Sequence, residues 1–200
     1  MQRVGIVVGC VVALAAGLAA QQAGTQPAGQ GTGRGPQGPP PTLVAEVQTM
    51  FNALKNNITK AADQFPEDKY AWKPTPDVRS WGALMSHIVD DNNGACFALA
   101  GEATRPARLD NEGQPTDAGK DLKKADIVRL LGESFARCDK AFAAVTPDNM
   151  MERQGARSKV GALVYDTQHI SEHYGNIVTY MRLQGLVPPS SQRAGGRGLR

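Results

Sequence analysis

Three histidines are the whole imidazole content of this 200-residue chain, and their placement is what could do chemistry. His169 and His173 stand four residues apart. On a helix that spacing stacks two side chains one turn apart on a single face, within reach of one ion. His87 lies far upstream, beside Ile88 and one turn after Leu84. Neutral imidazole suits zinc, nickel, copper or iron, and zinc or nickel is the expected ion. Three protein ligands leave a coordination position open to water or substrate, the arrangement of catalytic rather than structural zinc. A histidine at a core edge more often just bonds a neighbour, so the metal reading needs all three to share one interior.

Carboxylates stand close to these histidines. Asp90, Asp91 and Asn92 follow His87, while Asp166 and Glu172 flank the other pair. A carboxylate accepting the distal N–H of a ligating histidine fixes its tautomer and raises its basicity. Asp91, one turn beyond His87, and Asp166, within a turn before His169, have the spacing for that role. Asp90 and Glu172 are expected on solvated helix surfaces. The string His169-Ile-Ser-Glu-His173 also satisfies the His-x-x-Glu-His pattern of inverted zinc peptidases. That reading is discounted, because no Asp or Glu follows Glu172 to serve as a further ligand and His87 would have no role.

Four helical stretches must position these groups, and no strand alternation is convincing. The first runs from Thr42 to about Gln64, with Leu43, Val47, Met50, Phe51, Leu54 and Ile58 on one face. The second opens at Ser80, a plausible N-cap, and carries Trp81, Leu84, Met85, Ile88, Cys96 and Leu99 before Gly101 and Pro106 close it. The third spans Lys123 to Val145, with Ile127, Leu130, Leu131, Phe135, Cys138 and Phe142. The fourth runs from about Ser158 to Gln184 and stops at Gly185 and Pro188-Pro189. His169 and His173 lie beside its apolar stripe of Leu163, Ile170, Ile177 and Met181, and His87 falls on the core side of the second helix. Four amphipathic helices bury their faces most simply as an all-α four-helix bundle. The long polar loop from Thr104 to Asp121, between the second and third helices, leaves room for a crossover.

Composition bounds the rest. The chain is 41% hydrophobic and 20% charged, with a formal charge of +3, which fits one globular domain with tails. No basic stripe interleaved with aromatics exists for nucleic acid. Met1-Gln2-Arg3, the apolar run Val4–Leu18 and the small pair Ala19-Ala20 follow the order of a secretory signal over residues 1–20. The run is shorter than the ~20 residues of a spanning helix, so no membrane association is expected after cleavage. Residues 21–41 are a Gly-, Pro- and Gln-rich linker, 42–189 the folded domain and 190–200 a flexible basic tail. The site is therefore expected to be exported, periplasmic or extracellular. Export removes Cys10 and leaves Cys96 and Cys138, an even pair and a candidate disulfide. Two buried free thiols are the alternative.

Two blocks carry a family resemblance. Trp81-Gly-Ala-Leu-Met-Ser-His-Ile-Val-Asp-Asp-Asn92, preceded by Tyr70-Ala-Trp-Lys-Pro-Thr-Pro-Asp-Val-Arg79, resembles the second-helix entry of the DinB-like superfamily. The segment His169-Ile-Ser-Glu-His-Tyr-Gly-Asn-Ile-Val-Thr-Tyr-Met-Arg-Leu-Gln-Gly-Leu-Val-Pro-Pro-Ser190 looks like its last-helix signature. The resemblance implies a four-helix bundle with a divalent metal held by His87, His169 and His173, and makes a homodimer plausible. Relatives include metal-dependent thiol S-transferases and damage-inducible proteins without known activity. A metal-dependent hydrolase or thiol transferase acting on a small molecule is thus one expectation. A non-catalytic metal- or ligand-binding module is the other, and Arg79, Trp72 and Trp81 could be its recognition surface.

Overall fold

Three of the four long helices among the described residues start at a hydroxyl cap. The computed structural model describes residues 40–109 and 122–192. The expected signal peptide, almost all of the linker, most of the basic tail and most of the long polar loop lie outside the described residues. Helix α1 (Leu43–Gln64) begins at Thr42, whose hydroxyl accepts the Ala45 N–H at 3.2 Å. It ends before Phe65-Pro66, because a residue preceding proline is disfavoured in the helical region. Helix α2 (Trp81–Cys96) begins at Ser80, whose hydroxyl accepts the Ala83 N–H at 3.2 Å. Its next free donors are met by the preceding segment: Trp81 N–H donates to the Trp72 carbonyl at 2.9 Å and Gly82 N–H to the Tyr70 carbonyl at 2.8 Å. A Cβ at Gly82 would lie 3.2 Å from that Tyr70 oxygen, so the close approach calls for glycine.

Ser80 is buried, so its cap bond has no water to replace it. Ser80→Ala is expected to destabilise the domain by about 1 kcal/mol, read as a lower urea midpoint with an unchanged slope.

Helix α3 (Lys124–Ala144) and helix α4 (Lys159–Leu183) complete the set among the described residues. Between them, β1 (Arg153–Gln154) and β2 (Arg157–Ser158) form a two-residue antiparallel hairpin turned by Gly155 at φ +61°. Strands this short show no alternation, so the hairpin was invisible to periodicity. Ser158 then caps α4, accepting the Gly161 N–H at 3.1 Å.

The core stripe of α1 is Val44, Val47, Phe51, Ile58, Ala61 and Ala62. Leu43 and Met50, expected on that face, are instead about half exposed, at 49% and 55%. Each sits one residue before a buried position, a rotation of roughly 100° on a helix, which places it on the flank. Phe51 meets Phe135 and Phe142 at ring distances of 5.8 and 5.0 Å, and Phe65 stacks on Trp81 at 3.6 Å. Trp72 is partly buried and Trp81 wholly so, both against the core, so Trp81 offers no recognition surface.

Around the bundle, α1 packs on α4 and α3, and α2 packs on α3 and α4. The helices α2 and α3 are therefore direct neighbours, and the diagonal steps are α1 to α2 and α3 to α4. Helices α2 and α3 run parallel, with Gly82 against Ile127 near their starts and Cys96 against Cys138 near their ends, so the connection between them returns along the helices, the crossover for which the loop's length left room. A disulfide between Cys96 and Cys138 joins α2 to α3, with Cα atoms 5.0 Å apart. No helix among the described residues is long and apolar enough to cross a membrane.

Candidate metal centre

Packing α2 beside α4 brings the three histidines together. The ring centroids of His87 and His173 lie 4.7 Å apart, those of His169 and His173 also 4.7 Å, and those of His87 and His169 5.6 Å. The Nε2 atoms of His169 and His173 approach to 3.0 Å. Two nitrogens at 2.0–2.1 Å from one tetrahedral ion would stand roughly 3.3 Å apart. The helical i,i+4 spacing thus sets the pair at nearly the separation that a shared ion demands.

A fourth group enters the cluster. Asp91 Oδ2 lies 3.2 Å from His87 Nε2, 3.5 Å from His169 Nδ1 and 3.8 Å from His173 Nε2. One donor atom from each of His87, Asp91, His169 and His173 falls within 4.8 Å of all the others. Asp91 was expected behind a histidine, accepting its distal N–H. It faces His169 Nδ1, the nitrogen remote from His173, as that role requires, and it also falls among the grouped donor atoms, because one helical turn from His87 leads toward α4. The side chains of His173, His87, Asp91 and His169 are 8, 12, 15 and 25% exposed. The cluster is thus half sealed in the bundle and open on the His169 side. Three imidazoles and one carboxylate, largely withdrawn from water, form a donor set that fits a borderline divalent transition metal.

The other acids fall elsewhere. Glu172 is exposed, as expected, and is not among the grouped donors, which leaves the peptidase pattern without its general base at the cluster. Asp90, expected in solvent, is buried and accepts the Leu109 N–H at 2.8 and 3.0 Å. A backbone donor in the following loop thus holds one side of the buried carboxylate. The loop is held down a second time where Arg105 Nη2 donates to the Asp90 carbonyl at 3.0 Å.

Asp166, one turn below His169, faces the disulfide and not the histidine. Its Oδ2 lies 3.9 Å from Cys96 Sγ and 3.8 Å from Cys138 Sγ. A disulfide sulfur has no proton to donate, and Asp166 Oδ1 has no hydrogen-bond partner. The disulfide also removes both thiolates from any ion, so that trio offers a single carboxylate. Burial first, then the nearby charge of Asp91, pushes the Asp166 carboxyl up to about 8 from an ordinary 3.8.

The folded state therefore keeps a proton that the unfolded chain releases above its own carboxylate value. Stability is full below about pH 4 and declines as pH rises toward about 8. Asp166→Asn is expected to flatten that decline in metal-free protein and to raise stability at pH 8 more than at pH 5. Paired urea titrations at the two values measure it, and equal shifts at both would show that Asp166 ionises freely.

A cavity of about 530 Å³ opens beside the cluster, with His87, Asp91 and His169 in its wall. That volume suits a small molecule.

The comparisons with known proteins agree with this architecture. The family model described as the DinB superfamily matches residues 50–177. A solved structure described as the conserved protein of locus from Enterococcus faecalis is similar over 72% of this chain and 98% of its own, with a TM-score of 0.58 and 14% identity. At that identity the likeness shows the fold alone. No curated protein matches.

Proposed function

The chain belongs to the DinB superfamily, and from that premise we propose that it is an exported, metal-dependent enzyme acting on a small molecule. His87, His169 and His173 hold one divalent ion, zinc or nickel, with Asp91 as a further donor. The observation that carries this reading is the convergence of three imidazoles and a carboxylate from α2 and α4 on one point at the wall of a cavity. A divalent ion there supplies Lewis acidity, polarising what it holds and easing loss of its proton.

The protein's own contribution is placement. The i,i+4 pair on α4 fixes two donors, and His87 and Asp91 on α2 fix two more, so the bundle core sets the geometry in advance. His173 is held in the interior, and His169 lies at the cavity edge where a substrate would enter. A hydrolase or a thiol transferase would both use this layout. A cavity reaching the donors favours an enzyme over a module that only sequesters metal, since a sequestering site gains nothing from an open side.

Export is supported by the apolar N-terminal run and by the Cys96–Cys138 disulfide, a bond that persists in oxidising compartments.

The test is metal analysis of the purified full chain, followed by replacement with cobalt. One ion per chain and a visible ligand-field absorption, both lost in His87→Ala, are expected. A chain that takes up no zinc, nickel or cobalt overturns the proposal.

A further inference from the structure

The cavity beside the candidate metal centre is lined by three arginines. Arg105 and Arg108 come from the loop after α2, and Arg157 comes from β2 at the start of α4. Opposite them, Asp91 and Asp166 are the acids in the wall among the described residues. Asp91 faces the three imidazoles and Asp166 faces the disulfide.

These guanidinium groups are positioned by the fold. Arg105 lies against the backbone of α2, where its Nη2 donates to the Asp90 carbonyl while its Nε is buried without a hydrogen-bond partner. That position exists because residue 94 is glycine. A Cβ there would lie 2.7 Å from Arg105 Nη2 and 3.0 Å from its Cζ. Arg157 stacks on Tyr165, its Cζ 3.8 Å from the ring centroid, and the Tyr165 ring stands 5.7 Å from that of His169. One cation is thus braced a single ring away from a candidate metal ligand. Phe97, Ala95, Ala98 and Ala162 supply apolar wall between the charged groups.

We infer that this cavity binds a small oxyanion, a carboxylate or phosphate attached to a short apolar body, clamped by Arg105 and Arg157 with its reacting end toward the histidine cluster. Guanidinium is the group whose planar donors match such oxyanions. The inference rests on the metal reading for the orientation of the ligand, whereas the clamp itself needs only the arginines.

The probes are phenylphosphonate and benzoate, with phenol as the uncharged control, titrated calorimetrically into the full chain before and after zinc loading. Wild-type protein is expected to bind phenylphosphonate or benzoate and not phenol. Arg105→Gln, Arg157→Gln and Gly94→Ala should each weaken that binding by roughly tenfold while leaving zinc content unchanged. Gly94→Ala adds no charge and displaces only the flexible end of Arg105, and Arg157 is exposed, so at least two variants keep the fold. Arginine-dependent anion binding in a chain that takes up no zinc would uphold the clamp and overturn the metal reading. Equal binding of phenol, or unchanged affinity in all three variants, overturns the clamp whatever the metal content.

Discussion

His173→Ala is expected to lower divalent-metal affinity by roughly 100-fold or more. Groups that merely support a ligand cost 10–100-fold when removed, so loss of a ligand itself should reach at least the top of that range. His173 is the strongest choice because it is the most buried of the cluster and its Nε2 lies 3.0 Å from that of His169. His87→Ala and His169→Ala should follow closely, since each takes one of three imidazoles from a single ion. Asp91→Asn keeps the shape and removes the charge, and a smaller loss is expected. Competition against a chromophoric chelator gives the affinities, and circular dichroism checks that the helices remain. The same ion should raise the melting temperature of the wild type, because a ligand present at about 1,000 times its Kd stabilises by roughly 4 kcal/mol. That rise should vanish in His173→Ala. Zinc affinity unchanged from wild type in all four variants would mean that the cluster is a hydrogen-bonded knot and not a metal site.

The second large effect concerns the cross-link. Cys96 and Cys138 are separated by 42 residues, and closing a loop of that length restricts the unfolded chain by about 4 kcal/mol. A Cys96→Ala and Cys138→Ala double variant should lose most of that, visible as a lower urea midpoint. Simple reduction of the wild type should cost less than the double variant. The two thiols regained on reduction face Asp166 Oδ2 and can donate to it, whereas two alanines leave that buried carboxyl alone. Thiol titration of the non-reduced chain should find neither cysteine free. Two free thiols there, or a double variant as stable as the wild type, would remove the cross-link from the account.

These effects differ in how far they could be read before the fold was known. The i,i+4 pair His169 and His173 was legible because helical spacing is a local property, fixed by the backbone whatever surrounds it. The cap at Ser80 was legible for the same reason, and the helices expected to start at Thr42, Ser80 and about Ser158 begin within a residue of those positions. The inward side of His87 followed from the apolar stripe of α2. The disulfide was legible only as an even count, since nothing local says whether Cys96 and Cys138 lie on neighbouring helices.

What was misplaced was mostly carboxylate, Asp90 and Asp166. Asp90, Asp91 and Asp166 each stand near a histidine in sequence, and one acid looks like another until its surroundings are known. Asp91 meets α4, Asp90 meets a backbone N–H of the following loop, and Asp166 meets a disulfide. Arg105, Arg108 and Arg157 gave no signal at all, because they converge from a loop and a two-residue strand with no periodicity between them.

By itself, then, the amino-acid sequence determined the four helices, the cap at Ser80 and the three imidazoles as a candidate donor set. All of these follow from rotation and rise along one chain segment. Only the tertiary structure decided that α2 lies between α3 and α4, with α1 across the diagonal. That order is set by how apolar faces distant in sequence fill one core, and it is what admits Asp91 to the histidines, joins Cys96 to Cys138 and turns three scattered arginines toward one cavity.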